Sequence, residues 1–264
     1  MAVISDEIFK CIETIAPLNL AENWDNVGLQ VGSYCQKVRR VLLTLDITPA
    51  VIQEAINIKA NLIISHHPLI FGGIKKINYD SIVGKSITQL IAHNITVYSA
   101  HTNLDVAQGG LNDFVSKKIG LKNIKSLDKG KDNNGGYIRI GNLTKPIENL
   151  EFLNEIKESL KLNNLKYTPN MPKYIQKIAI CTGSGASFID LAKKEKPDVF
   201  ITGDVKYHDA QRALEQDIWV IDAGHFGTEG LVGELFKEIL ENKFKTDEIS
   251  IYISESSCDF FNYV

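Results

Sequence analysis

Hydrophobic and polar positions alternate along the chain between short β-branched runs and longer amphipathic stretches. Strands are predicted from this pattern at 41–48, 61–67 and 95–105, and helices at 49–60, 81–93 and 110–119. Pro49 suits the first turn of the helix that follows the first of these strands. Strands that alternate with helices are typical of a parallel sheet with crossover helices, so the sequence predicts an α/β fold.

The second half of the chain repeats this plan after a polar, glycine-rich segment at 127–142, which marks a boundary or a hairpin. Beyond it, helices are predicted at 151–162 and after Thr228, and strands at 177–183, 198–205, 217–225 and 247–255. We therefore expect a first lobe at 1–125 and a second at 126–264. The last part, from about residue 228, is expected either to stay with the second lobe or to pack back on the first.

Composition and charge narrow the class of protein. The chain has 264 residues and is 44% hydrophobic, enough for one large or two modest cores. It has no apolar run long enough for a membrane span, and its first residues carry acids where a signal peptide carries bases, so we expect a cytoplasmic protein with no membrane contact. A net charge of −3 with scattered lysines argues against a dedicated nucleic-acid binder, although it does not exclude such a partner. The four cysteines form no C-x-x-C pair, so neither a thiolate zinc site nor a disulfide framework is indicated.

The histidines are distributed unevenly. His93 lies near a predicted helix end, whereas the other five lie at or just after predicted strands: His66, His67, His101, His208 and His225. Ligands of open α/β sheets bind at the carboxyl ends of the strands. The five histidines therefore indicate a candidate site at that edge.

The run IISHHPLIF at 63–71 places His66 and His67 side by side. Successive residues of a strand point to opposite sides, so we expect each imidazole to serve a different metal ion. Two-metal hydrolytic sites also need carboxylates. Asp105 in HTNLD, and Glu229 four residues after His225, supply them, and Thr228 is expected to cap the helix that follows it. Nitrogen and oxygen ligands without sulfur suit zinc, manganese or iron(II).

Each motif also has an ordinary interpretation. His-His-Pro is commonly a surface turn, H-x-x-x-E occurs by chance, and Asp105 alone suits an Asx turn or a cap. TGSGAS at 182–187 fits a tight turn better than a phosphate site. The loop NWDNVGLQVG at 23–32 is either packed by its tryptophan or forms a wall facing the substrate, with Asp25 or Asn26 orienting other groups. His208 is either a proton donor or a hydrogen-bonded residue on a helix face.

Five motifs together resemble one known family, the GTP cyclohydrolase 1 type 2 homologues, also called Nif-three-like dinuclear metal centre proteins. They are WDNVGLQVG at 24–32, SHHPLIF at 65–71, HTNLD at 101–105, TGDVKYHDA at 202–210 and GHFGTE at 224–229. The resemblance implies two interlinked three-layer α/β lobes with mostly parallel strands, a dinuclear metal site in the cleft between them, and a homohexameric ring. It implies metal ligands at His66, His67, Asp105, His225 and Glu229, with His101 and His208 facing the cleft. The stretch 126–175 is too short for the extra domain of longer relatives.

The leading functional hypothesis is a metal-dependent hydrolase with two divalent ions per chain, zinc, manganese or iron. The resemblance suggests that it opens the imidazole ring of GTP to give formate and dihydroneopterin triphosphate, with His101 or His208 as general acid or base. Two alternatives stay open. One is a phosphoesterase or amidohydrolase that acts on another nucleotide, and the other is a non-enzymatic metal-binding scaffold or interaction module.

Overall fold

The computed structural model describes residues 3–129, 135–245 and 248–263. Its helices are α1 Ser5–Glu13, α2 Pro49–Asn57, α3 Ile82–Ala92, α4 Thr102–Val106, α5 Leu111–Lys118, α6 Asn149–Leu160, α7 Ile189–Lys194, α8 Tyr207–Glu215, α9 His225–Glu229 and α10 Val232–Glu241. Its strands are β1 Gly28–Val31, β2 Arg40–Thr44, β3 Leu62–Ser65, β4 Thr96–Ser99, β5 Lys122–Ser126, β6 Arg139–Glu148, β7 Lys166–Tyr167, β8 Tyr174–Ile180, β9 Val199–Thr202, β10 Val220–Asp222 and β11 Ser250–Ile253. Residues 130–134 of the polar segment and 246–247 at the start of the last predicted strand lie outside the described residues.

The chain divides into two compact units. The first consists of Met1–Leu104 and Val232–Cys258, and the second of Asp105–Leu231 and Asp259–Val264. The polar segment at 127–142 had predicted a later boundary between the two lobes, between residues 125 and 126. The structural division comes earlier because α5 packs against β5 and β6, and because Arg139 on β6 binds Asp113 on α5 with Nε 2.8 Å from Oδ1.

The first unit is built on a five-stranded sheet in the order β1-β4-β3-β2-β11. The pairs from β4 to β11 are parallel, and only β1 is antiparallel to its neighbour. Leu42, Ile63 and Val97 are register partners that face α2 and α3 in one buried cluster. On the opposite face Tyr98 stacks on Phe9 of α1, with ring centroids 4.4 Å apart. Helices thus cover both faces, and the central strands are fully buried, as expected for parallel sheets.

The second unit is built on a six-stranded sheet in the order β5-β6-β8-β9-β10-β7. Its centre, β8-β9-β10, is parallel, whereas β5, β6 and β7 pair antiparallel to their neighbours. Ala179, Phe200 and Val220 are register partners that pack against α7 and α8. On the other face α5 and α6 contact β6. The predicted α/β class with mostly parallel strands is confirmed, and the antiparallel pairs are confined to one strand of the first sheet and to the outer strands of the second.

The prediction omitted four strands and carried several others past their ends. The predicted strand at 41–48 continues beyond Thr44, the one at 198–205 beyond Thr202, and the one at 217–225 beyond Asp222 into α9. β1, β5, β6 and β7 were not predicted from the pattern, since their exposed or irregular positions give no clean alternation. The predicted strand at 95–105 is wrong after Ser99, because Thr102–Val106 forms the helix α4. None of the helices in the described ranges has the length and apolar character needed to cross a membrane.

Candidate metal centre

Three imidazoles of the first unit lie together just beyond the carboxyl ends of β3 and β4. Ring centroids are 5.2 Å apart for His66 and His67, 5.1 Å for His66 and His101, and 5.4 Å for His67 and His101. One ligand atom from each lies within 4.8 Å of the others. The expectation that strand alternation separates His66 from His67 is wrong, because β3 ends at Ser65 and neither histidine continues the strand.

The Nδ1 nitrogen of each of these imidazoles makes a hydrogen bond to an oxygen atom. His66 Nδ1 lies 2.8 Å from the carbonyl oxygen of Ala100, His67 Nδ1 lies 2.7 Å from Asp46 Oδ1, and His101 Nδ1 lies 3.0 Å from Asp25 Oδ1. A carbonyl or carboxylate oxygen only accepts, so Nδ1 carries the hydrogen and a neutral ring has its lone pair on Nε2. Metal-binding histidines in proteins have this arrangement.

Asp25 fixes His101 from a buried position. Its carboxylate accepts hydrogen bonds from the backbone N–H of Thr102 at 3.1 Å and from the Thr102 hydroxyl at 2.5 Å, in addition to His101. Burial alone would raise the pKa of Asp25, but the hydrogen bonds from His101 and Thr102 outweigh it and hold the pKa at about 2. Of the two interpretations of the loop at 23–32, the structure favours the one in which Asp25 orients another group, since Trp24 is 60% exposed and does not anchor the loop.

In the second unit, His225 and Glu229 lie four residues apart on the short helix α9. His225 Nε2 lies 3.0 Å from Glu229 Oε2, and His225 Nδ1 lies 2.7 Å from Asp204 Oδ2. The hydrogen bond that His225 donates to the Glu229 carboxylate raises the pKa of His225 most, burial opposes this rise, and Asp204 adds to it, so the pKa is about 9. The prediction that Thr228 caps a helix is wrong, because α9 already begins at His225. The Thr228 hydroxyl instead accepts the N–H of Gly183 at 2.9 Å.

Gly183 makes room for the Glu229 carboxylate. It belongs to the TGSGAS segment, where a tight turn was predicted, and it has a φ of +62°. A Cβ atom at this position would lie 2.1 Å from Glu229 Oε1. The glycine is therefore required both by its backbone conformation and by the space that the carboxylate occupies.

Asp105 is buried in α4, and the backbone beside it is held by polar side chains of its own unit. Asn112 Nδ2 donates to the carbonyl oxygen of Asp105 at 3.1 Å, and the Arg139 guanidinium donates to the carbonyl of Ala107 at 2.8 Å. Asp105 therefore lies in a helix, and not at a strand end as its position at the end of the predicted strand had suggested.

The structure thus brings His66, His67 and His101 together in the first unit, and His225 and Glu229 together in the second. His208 lies on the exposed face of α8 with Nδ1 3.3 Å from Gln211 Oε1, and it joins none of the metal-ligand groups found in the described part of the chain. Sequence reasoning missed Asp46, Asp204 and the role of Gly183. Asp46 and Asp204 follow the carboxyl ends of β2 and β9, so the rule that selected the histidines would also have found them.

An α/β fold with imidazoles and carboxylates collected beyond its strand ends defines a candidate metal-binding α/β protein. The chain belongs to the Duf34/NIF3 (NGG1p interacting factor 3) family, whose profile matches residues 3–259. It is 39% identical over 260 residues to a "GTP cyclohydrolase 1 type 2 homolog" of Clostridium perfringens, covering 98% of this chain and 99% of the relative. It is 34% identical to the "Protein NIF3 homolog" of Schizosaccharomyces pombe, covering 98% of this chain and 96% of that protein.

Solved structures agree with this assignment. A hypothetical protein from Staphylococcus aureus superposes with a TM-score of 0.91 at 29% identity, covering 100% of both chains. Reduced HcgD from Methanocaldococcus jannaschii superposes with a TM-score of 0.81 at 31% identity, covering 97% of this chain and 99% of that one.

Proposed function

We propose that the protein is a divalent-metal-dependent hydrolase that binds two ions. Its ligands would be His66, His67 and His101 of the first unit and Asp105, His225 and Glu229 of the second. The observation that supports this most strongly is the shared arrangement of four imidazoles, in which His66, His67, His101 and His225 each use Nδ1 for an oxygen partner. In His66, His67 and His101 this arrangement fits a metal better than an ordinary surface turn, since it presents Nε2 of each neutral ring as the ligand atom. His225 Nε2 would exchange its contact with Glu229 for the ion.

The donor set suits divalent ions that accept both nitrogen and oxygen. Divalent cations there would act as Lewis acids, lowering the pKa of water and neutralising negative charge on the substrate. Asp25 and Asp46 hold the His101 and His67 rings in orientation, and Asp204 does the same for His225. Because His101 lies within the imidazole group, we assign it as a ligand, and His208 stays the candidate for proton transfer.

The proposed substrate is a nucleotide, with GTP as the first candidate. Relatives with full coverage carry the name GTP cyclohydrolase 1 type 2 homolog, and the reaction would open the imidazole ring of GTP with release of formate. Phosphate rather than formate as the product would instead indicate a phosphoesterase. Metal binding without turnover of any nucleotide would indicate a scaffold.

The test begins with elemental analysis of the purified protein and of Glu229→Ala. We expect about two ions per chain in the wild type and fewer in the variant. Tyr79→Ala, an exposed substitution in the first unit, is the control that should retain the wild-type metal content. Less than one ion per chain in the wild type, or an unchanged content in Glu229→Ala, would contradict the proposed site.

The second step is incubation of the metallated protein with GTP and separation of the products. Formate and a fluorescent pterin are expected. Their absence from fully metallated protein would contradict the cyclohydrolase assignment and leave the metal site unaffected. The homohexamer stays a prediction, which sedimentation velocity of the same sample measures.

A further inference from the structure

Two large aromatic side chains of the first unit are exposed beside the imidazole group. Trp24 is 60% exposed and Phe71 is 54% exposed, whereas the other tryptophan of the chain, Trp219, is 1% exposed. The Trp24 and Phe71 rings have centroids 6.4 Å apart, and their planes differ by only 11°. Two neighbouring exposed rings with nearly parallel faces offer a flat apolar surface to a planar ligand.

The loops that carry these rings are held by a hydrogen-bond network. Asn26 Nδ2 donates to the carbonyl oxygen of Ile70 at 2.6 Å and to Gln30 Oε1 at 3.2 Å. Gln30 Nε2 donates back to the carbonyl oxygen of Asn26 at 2.6 Å, and the N–H of Ile70 donates to Gln30 Oε1 at 3.3 Å. Trp24 lies two residues before Asn26, and Phe71 follows Ile70. The backbone segments that carry the two rings are therefore held against each other before any ligand arrives.

Both rings are also positioned against His101. The Trp24 and His101 centroids are 6.1 Å apart at 75°, and the Phe71 and His101 centroids are 5.6 Å apart at 72°. Asp25, next to Trp24, holds His101 through Nδ1. A ligand that covers the two parallel rings thus lies directly beside one of the proposed metal ligands.

We propose that Trp24 and Phe71 form a stacking site for the planar purine ring of the substrate. This inference rests on the proposed function and names the residues that recognise the base. Because the two planes are nearly parallel, a flat ring that stacks on one of them is also parallel to the other, as a purine base would be. Stacking on aromatic side chains is a common means of binding nucleobases.

The test uses the fluorescence of Trp24 in the full chain, as purified and with its metal content measured. Guanosine is the probe, and ribose 5-phosphate, which lacks the base, is the comparison ligand. Guanosine should quench the emission with saturation, and ribose 5-phosphate should not. Because Trp219 is buried, the quenching of tryptophan emission reports on Trp24. Trp24→Phe should therefore abolish the quenching. Calorimetry should show that Trp24→Phe still binds guanosine, since an aromatic face is retained.

Removing one face should weaken guanosine binding measurably. In Phe71→Ala and in Trp24→Ala we expect an affinity loss of roughly 5- to 150-fold, the range found when an aromatic face is removed from a base. Tyr79→Ala, which removes another exposed aromatic ring of the same unit, should bind guanosine as the wild type does. Equal affinity in wild type and both alanine variants would overturn the proposal. A change in sedimentation coefficient of Trp24→Ala with unchanged guanosine affinity would also overturn it, because the surface would then join copies of the chain.

Failure of this inference and failure of the proposed function are distinguishable. Metal binding and formate release without guanosine quenching would contradict the stacking site alone. Guanosine quenching that is lost in Phe71→Ala, in a protein with no metal and no turnover, would contradict the hydrolase and leave the stacking site in place.

Discussion

The two groups of candidate ligands are supported in different ways. In the first unit each imidazole has its own acceptor, which touches the ring directly: Ala100 for His66, Asp46 for His67 and Asp25 for His101. In the second unit much of the support acts on the backbone. Arg139 and Asn112 hold the carbonyl groups at 105–107, and the Thr228 hydroxyl holds the N–H of Gly183.

This difference predicts that substitutions in the two units should have different effects. A substitution of a carboxylate acceptor in the first unit should act mainly on one imidazole, although Asp25 also holds the N–H of Thr102. A substitution among the backbone supports of the second unit should reduce the stability of that unit and displace several ligands together. Substitutions in both units can test this contrast between support of single imidazoles and support of the backbone.

The largest expected effect comes from Arg139→Ala. The guanidinium is buried and binds Asp113 through two nitrogens, with Nε 2.8 Å from Oδ1 and Nη2 3.1 Å from Oδ2. Its removal takes the cation away from the buried Asp113 carboxylate and one donor away from the carbonyl groups of Gly136, Val106 and Ala107, so we expect the free energy of unfolding to fall by about 3–5 kcal/mol. Chemical denaturation measures this. Lys10→Ala, which breaks the exposed pair with Asp6, is the control and should leave the free energy of unfolding nearly unchanged. Equal losses in the two variants would contradict the contrast.

Gly183→Ala should combine a moderate loss of stability with a loss of metal. The substitution forces a Cβ into a left-handed backbone and against Glu229, so we expect a cost of about 1–3 kcal/mol and fewer ions per chain. Gly73→Ala is the matched control, since an added Cβ there meets no atom of the described chain within 4 Å. Wild-type metal content in Gly183→Ala would show that the position of Glu229 does not matter.

Asp25→Asn and Asp204→Asn compare a buried acceptor with an exposed one. The Asp25 side chain in the His101 pair is 0% exposed, and the Asp204 side chain in the His225 pair is 47% exposed. Loss of an acceptor behind a metal-binding imidazole lowers metal affinity by about 10- to 100-fold. We expect that loss for Asp25→Asn and less than about fivefold for Asp204→Asn, where water replaces the carboxylate. Competition with a chelator measures both affinities, and the reverse order would contradict the role of burial.

Much of the fold and part of the site could be predicted from the sequence. The central strands β2, β3, β8, β9 and β10 are short apolar runs that any buried parallel strand requires, so their pattern is unambiguous. The edge strand β5 is mostly exposed and shows no alternation of buried and exposed positions, so it was missed. The division of the chain after Leu104 depends on contacts of α5 with β6, which no local pattern records.

The candidate site, like the fold, could be predicted from the sequence only in part. Residue type and position after strands selected His66, His67, His101 and His225, because the carboxyl ends of parallel strands share one edge. The prediction from alternation failed because β3 ends at Ser65, which pairs with Thr44 of β2 and with Ser99 of β4, so His66 and His67 lie beyond the regular strand. The expectation of two ions therefore depends on the number of donors and on the family, and no longer on alternation.

The smallest expected effect concerns Glu54, which supports the first unit far from the imidazoles. Its carboxylate accepts the Ser254 hydroxyl at 2.6 Å and the N–H groups of Glu255 and Ser256 at 3.0 Å each. Burial would raise the pKa of Glu54, but these hydrogen bonds outweigh it and the pKa is lowered. A lowered carboxyl pKa stabilises the folded state above the ordinary pKa of glutamate, and this contribution is lost as the pH falls through the lowered value. Glu54→Gln should therefore cost less than about 1 kcal/mol at neutral pH, since the group is partly exposed, and still less in acid. Denaturation of both proteins at several pH values measures the difference, with the exposed substitution Glu155→Gln as control. A difference that grows as the pH falls would contradict the assigned sign.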